Sequence, residues 1–182
     1  MKRRALQGLA VVATPILLGA QAPSADRIVA AIVGGESASI VLQGWCVDHG
    51  LPPLLARRVR GVEKPPPAAA LAPLAVRPGE PVGYRRVKLA CGTVILSEAD
   101  NWYVPGRLTR QMNRQLDSTD APFGLVARPL HFIRRTLQAR RAPDADHILE
   151  VTAVLVSATG AAFSYVIEDY RRDLVSKSAP GR

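Results

Sequence analysis

Polar side chains with a regular spacing mark the stretch of chain from residue 82 to residue 104. Side chains of a β-strand alternate between its two faces, so Tyr84, Arg86 and Lys88 share one face of the first predicted strand. An arginine grips a carboxylate through two parallel hydrogen bonds, and a lysine adds a point charge. This face therefore suits a ligand with one or two carboxylates, and a solvated outer face of the sheet is the alternative.

Carboxylates and an amide on later strands are candidates for work on the same ligand. Glu98 and Asp100 share one face of the next strand, whereas Asn101 lies on the other. They either line a pocket or pair with the neighbouring arginines. Glu168 on the last strand either reaches the same cavity or is an exposed carboxylate on an edge strand. Glu98 and Glu168 are thus the acid–base candidates, and Lys88 and Asn101 are further ligand contacts.

Other kinds of site lack support in the sequence. The two cysteines and three histidines show no metal-ligand spacing, so we predict no metal. There is no phosphate loop, dinucleotide fingerprint or G-x-S-x-G motif. The net charge of +9 would fit an acidic ligand, an anionic membrane surface or nucleic acid. Since no nucleic-acid-binding motif accompanies that charge, we predict no nucleic-acid partner.

Helices precede strands in the elements that must carry these residues. This order predicts an α+β fold with a single antiparallel sheet and flanking helices. Two hairpins, each of two strands joined by a turn, would supply most of the sheet. The predicted helices span residues 27–33, 36–49, 68–74 and 109–116, and the predicted strands span 55–62, 82–90, 94–104, 130–140, 147–157 and 162–174.

The first residues have the composition of an export signal. A basic start at residues 2–4 precedes the apolar run 5–19 and the small-x-small pattern Ala20-Gln21-Ala22. After cleavage the chain would be a periplasmic or secreted monomer without a membrane span, and it would be cytoplasmic if the segment does not work as a signal. The predicted organisation is a signal peptide (1–25), one domain (26–175) and a flexible tail (176–182).

The two cysteines lie in different predicted elements. Cys46 belongs to an apolar helix pattern, and Cys91 ends an apolar strand. This placement favours two buried free thiols. A single disulfide is the alternative if the protein is exported.

Two segments resemble the chorismate pyruvate-lyase family. They are YRRVKLACGTVILSEADNWYVP from Tyr84 to Pro105 and LDSTDAPFG from Leu116 to Gly124, within a likeness that covers about residues 36–174. The effector-binding domain of GntR-type transcription regulators has the same fold. The resemblance implies an antiparallel sheet whose helical flaps close an aliphatic pocket, and removal of pyruvate from chorismate to give 4-hydroxybenzoate, a ubiquinone precursor, without a cofactor.

The resemblance also implies roles for particular residues. The family's carboxylate-binding arginine matches Arg86, and its backbone-amide contact matches Phe123, beside Gly124. The family's catalytic glutamate matches Ala153, which is a departure from the pattern. Loss of a general acid costs about 10² to 10⁴ in rate, unless Glu98 or Glu168 substitutes.

Three functional hypotheses follow from these residues. The first is a lyase that acts on chorismate or a related aromatic or enolpyruvyl carboxylate. The second is an exported, non-catalytic protein that binds a small aromatic carboxylate in the same pocket. The third is a structural or interaction protein, for which the basic surface is the sole support.

Overall fold

A single antiparallel sheet forms the centre of the computed structural model, which describes residues 25–142 and 144–176. Within those residues the sheet has six strands: β1 (Leu54–Arg58), β2 (Gly83–Cys91), β3 (Val94–Tyr103), β4 (Ile133–Arg141), β5 (His147–Val156) and β6 (Ala162–Arg171). The helices of this part are α1 (Ala25–Val33), α2 (Ala38–Asp48), α3 (Ala68–Leu74), α4 (Arg110–Ser118), α5 (Phe123–Val126) and α6 (Asp173–Ser176). The strands lie side by side in the order β1-β2-β3-β6-β5-β4. The predicted α+β fold is confirmed.

Helices cover the two faces of this sheet unequally. On the face that we call inner, α1 and α2 pack over one half, where Ile32, Leu42 and Trp45 belong to the largest buried cluster. The other half of the inner face lies under α4 and α5, with a second cluster around Met112 and Leu116. Helix α3 packs on the opposite, outer face. A cavity on the inner face is therefore enclosed between the sheet and the helices.

The hairpin of β2 and β3 forms where the sequence predicts it. Its alternating pattern places Val87 and Leu89 in the buried core. The two-residue turn begins at Gly92, whose φ of 58° is a conformation that glycine adopts without a steric cost.

Three strands differ from their predicted limits. Strand β1 ends at Arg58 and not at residue 62. Strand β4 starts at Ile133 and not at residue 130, because Arg128–Leu130 forms a 3₁₀ turn that contains Pro129. His131 then adopts a left-handed φ of 46° before the strand begins. Strand β6 ends at Arg171, and α6 follows where the strand was predicted to continue.

Cys46 and Cys91 form a disulfide, so the prediction of two free thiols was wrong. The bridge joins α2 to the end of β2, with a Cα–Cα distance of 5.9 Å that suits a disulfide. Both residues are fully buried. Their pairing depends on how α2 packs against the sheet, a long-range contact that no local pattern reports.

Several predictions concern residues outside the described part. Residues 1–24 of the predicted signal peptide (1–25) and residues 177–182 of the predicted tail (176–182) fall there. Among the helices that the structure describes, none is long and apolar enough to cross a membrane.

Candidate functional site

A small cavity lies on the inner face of the sheet, beneath the first turns of α2 and α5. It leaves about 50 Å³ for the centres of water-sized molecules, which is room for several waters or for one compact ligand. Its walls are mostly apolar, as in most small-molecule sites. The apolar wall residues are Ala38, Val87, Leu89, Ala99, Phe123, Phe132, Leu155 and Val166.

An ion pair between Arg134 and Glu168 forms one polar side of the cavity. Arg134 Nη2 lies 2.5 Å from Glu168 Oε2, and Tyr170 donates its hydroxyl to the same oxygen at 2.7 Å. Burial lowers the pKa of Arg134, but the charge of Glu168 outweighs burial and raises it. Burial and the neighbouring carboxylate raise the pKa of Tyr170. Glu168 Oε1 accepts no hydrogen bond from the described residues, so it remains available to a ligand.

The position of Glu168 corrects one alternative from the sequence. Strand β6 lies in the middle of the sheet, between β3 and β5, and Glu168 is only 6% exposed. It is therefore a buried cavity residue and not an exposed carboxylate on an edge strand.

Asn101 and Ser164 form a second polar pair in the cavity. Ser164 donates its hydroxyl to Asn101 Oδ1 at 2.7 Å, and both residues are buried. The Asn101 Nδ2 amide has no acceptor within the described ranges. This amide is thus a donor that a bound acceptor atom would satisfy.

Small residues form the upper wall of the cavity. A Cβ atom on Gly124 would lie 2.8 Å from Ser37 Oγ and 2.9 Å from Ser39 Oγ, so any larger residue would have to displace these two serine side chains. Neither serine hydroxyl is hydrogen bonded in the part of the chain that the structure describes. The amides of Phe123 and Gly124 open α5 and have no intrahelical acceptor. Several donors are therefore available along this wall.

The structure brings together four of the residues that the sequence predicts for the site. Asn101, Phe123, Gly124 and Glu168 all line the cavity, although they come from three separate parts of the chain.

The other three predicted site residues lie on the outer face, away from the cavity. Arg86 Nη1 is 3.0 Å from Asp100 and its Nη2 is 3.4 Å from Glu98, and Lys88 Nζ is 3.4 Å from Glu98. Burial raises the pKa of Asp100, but hydrogen bonds from Lys64 and Tyr84 outweigh it and lower the pKa. The expectation that Arg86, Lys88 and Glu98 share one pocket with Glu168 is therefore corrected. They form the structural ion pairs that were the alternative.

Arg85, the neighbour of Arg86, is the cation that the sequence reasoning missed. It projects from the inner face beside Asn101, its partner in the register of β2 and β3, and is only 2% exposed. It does not line the cavity itself and instead borders a separate pocket with residues 58–63. None of its three guanidinium nitrogens has a hydrogen-bond partner among the described residues. Burial accordingly lowers the pKa of Arg85. The signal was present in the sequence, because Arg85 alternates with Val87 and Leu89 on the apolar face.

Arg134, Ser37 and Ser39 were also missed, and no motif of the sequence identifies them. Over residues 25–142 and 144–176, no group of three or more His, Cys, Asp or Glu side chains could hold a metal ion.

Solved structures share this architecture. PhnF from Mycobacterium smegmatis aligns with a TM-score of 0.55 and 14% identity, covering 80% of this chain and 68% of that one. The effector domain of the same PhnF aligns with a TM-score of 0.52 and 15% identity, covering 76% of this chain and 90% of that one. The fold is thus that of a GntR-type effector domain, which is also the chorismate lyase-like fold. The possible transcriptional regulator YydK from Bacillus subtilis aligns with a TM-score of 0.48, and 62% of its length is covered.

Sequence relatives are fewer. No family model matches the chain. The uncharacterized protein y4mC of Sinorhizobium fredii is 38% identical over 175 residues, which cover 82% of this chain and 74% of that protein. At this identity and coverage, the chain belongs to the same family as y4mC.

Proposed function

We propose that this protein binds a small aromatic carboxylate in the cavity on the inner face of the sheet. The observation that supports this most directly is the cavity itself, whose apolar walls carry a few hydrogen-bonding groups without protein partners. This combination holds an apolar body by burial and fixes its orientation by polar contacts.

Arg85 is the proposed counter-ion for the ligand's carboxylate. It does not itself line the cavity, so the carboxylate would reach it past Asn101, its partner on β3. A buried guanidinium without a hydrogen-bond partner is costly, and an anion that enters beside it removes that cost. The resemblance to chorismate pyruvate-lyases places such an arginine on this strand. The facing of β2 favours Arg85 for the role that the sequence alignment assigned to Arg86.

The site favours binding without turnover over catalysis. Ala153 is buried in the core on β5 and has no acid group. Glu168 accepts hydrogen bonds from Arg134 and Tyr170, an arrangement that suits holding the arginine more than transferring a proton. The disulfide supports placing this binding protein outside the cytoplasm, as the predicted signal implies, because disulfides persist in oxidising compartments.

A chorismate lyase is the second candidate, and Glu168 Oε1 is the observation in its favour. This carboxylate oxygen belongs to a residue that lines the cavity and has no protein partner in the described part. In a lyase, this oxygen would transfer the proton that the family's catalytic glutamate transfers, because Ala153 stands at the position of that glutamate. Formation of 4-hydroxybenzoate from chorismate, followed by chromatography, distinguishes this candidate from simple binding.

The binding proposal is tested with two adjacent arginines that face opposite sides of one strand. We expect 4-hydroxybenzoate to bind the wild-type chain in calorimetry and to raise its melting temperature. Arg85→Met should weaken binding about tenfold to a hundredfold, the value of a hydrogen bond to a charged group. Arg86→Ala should bind like the wild type, although it loses the ion pairs with Asp100 and Glu98.

The opposite result has a clear meaning. If Arg86→Ala abolishes binding while Arg85→Met retains it, the outer face is the ligand site and the proposal fails. If 4-hydroxybenzoate and chorismate leave both calorimetry and melting unchanged, the ligand class is wrong.

A further inference from the structure

We propose that the ligand carries a second acidic group, held in an outer chamber that adjoins the inner cavity. This inference rests on the proposed function, because it describes an extension of the same site. The outer chamber lies between the turn Gly34–Ser37 and the segment Arg128–Arg134. It leaves about 540 Å³ for the centres of water-sized molecules, so it is roomier than the inner cavity and more open to solvent.

Three residues separate the two spaces and line both of them. They are Ser37 at the start of α2, Phe132 just before β4, and Arg134 on β4. The ring of Phe132 packs edge-on against Phe163, with 5.8 Å between ring centroids. A ligand whose ring fills the inner cavity therefore extends past Phe132 and Arg134 when it carries a second group.

Arg134 offers an unused donor at this boundary. Its Nη1 donates to the Ile32 carbonyl at 2.7 Å and its Nη2 donates to Glu168, but its buried Nε has no partner among the residues described. The residue is 6% exposed and lines both spaces. An acceptor atom of a ligand that crosses the boundary would satisfy this donor.

The charges around the outer chamber favour an acidic group. Arg128 and His131 are exposed at its rim, where neither side chain has a hydrogen bond or ion pair within the described ranges, whereas the charge of Arg134 is already paired with Glu168. Glu36 is the acidic residue among those that line the chamber. A carboxylate in this space would thus find its counter-charge in Arg128, which has no ion pair with a described residue.

The wall of the chamber has a fixed shape. Gly35 has a φ of 95°, and a Cβ atom at this position would lie 2.6 Å from the Arg134 carbonyl oxygen. The turn between α1 and α2 therefore presses directly on the backbone of β4, which only glycine allows. This contact fixes the position of the turn relative to the backbone of Arg134.

The test compares two probes that share a ring and differ by one acidic arm. Calorimetry would measure 4-hydroxybenzoate and 4-(carboxymethoxy)benzoate against the wild-type chain. We expect the two-acid probe to bind about tenfold more tightly, the value of one hydrogen bond to a charged donor. Arg128→Glu should reduce its affinity about threefold to tenfold and leave 4-hydroxybenzoate unaffected. The matched control is Arg114→Glu, an exposed arginine on α4 that lines neither space and should change neither affinity.

The outcomes separate this inference from the proposed function. If 4-hydroxybenzoate binds but the acidic arm adds no affinity, or if its gain survives Arg128→Glu, the outer subsite is refuted while the proposed function stands. If neither probe binds, the proposed function fails, and the outer subsite fails with it.

Discussion

Reduction of the Cys46–Cys91 disulfide should destabilise this protein strongly. The bridge is buried and joins residues 45 positions apart, from the last turn of α2 to the end of β2. A cross-link stabilises a fold mainly because it restricts the unfolded chain, and the effect grows with the length of the closed loop.

The sequence separation sets the expected size of the effect. For a loop of 45 residues the chain-entropy relation predicts a stabilisation of about 4 kcal/mol at 25 °C. In a domain of this length each kcal/mol moves the melting temperature by roughly 2–4 °C. Reduction should therefore lower the melting temperature by about 8–16 °C.

The assay is thermal unfolding followed by circular dichroism, with and without reductant. Mass spectrometry before and after treatment would confirm that the bridge was first present and then lost. The variant Cys46→Ala/Cys91→Ala is the control, since its melting temperature should be low and insensitive to reductant. A shift below about 2 °C in wild-type protein whose bridge has been shown to open would refute the reasoning.

Three further predictions concern ionic groups. Replacing Glu168 by alanine leaves the buried Arg134 without its counter-ion and should cost about 3–5 kcal/mol in urea unfolding, whereas an unchanged midpoint would mean that water replaces the pair. The pKa of Asp169 is raised by burial and by Glu150, so its ionisation disfavours the folded state as pH rises through that pKa. Asp169→Asn should therefore raise the melting temperature at pH 7 and lose this advantage below about pH 4, and the same difference at both pH values would contradict this assignment. Hydrogen bonds from Arg107 lower the pKa of Glu80 to about 2, so their stabilising effect is present above the ordinary glutamate pKa and is lost as pH falls towards 2. Arg107→Ala should therefore remove this acid dependence of the melting temperature. If the dependence persists in the variant, another carboxylate is responsible.

Local patterns in the sequence were sufficient for the fold class and for most strands. The alternation along β2 and β3 identified the hairpin, because a strand with one buried face leaves a period of two in its residues. The same alternation places Arg85 and Arg86 on opposite faces of β2, but it does not indicate which of these faces binds the ligand. The apolar neighbours of Arg85 were the available sign, and the resemblance to a known family directed attention to Arg86.

Contacts between distant parts of the chain decided the rest. Glu168 became a buried cavity residue because β6 pairs with β3 and β5, and a single strand's sequence does not state its neighbours in the sheet. Cys46 met Cys91 because α2 packs across the inner face. Arg134 lines the cavity together with Glu168, which lies 34 residues away in sequence, so no local pattern predicts their contact. The sequence alone thus determined the elements and the faces of each strand, since those depend on local backbone geometry. The cavity depended on tertiary packing, because its walls come from segments that burial of apolar surface brings together only when the whole chain folds.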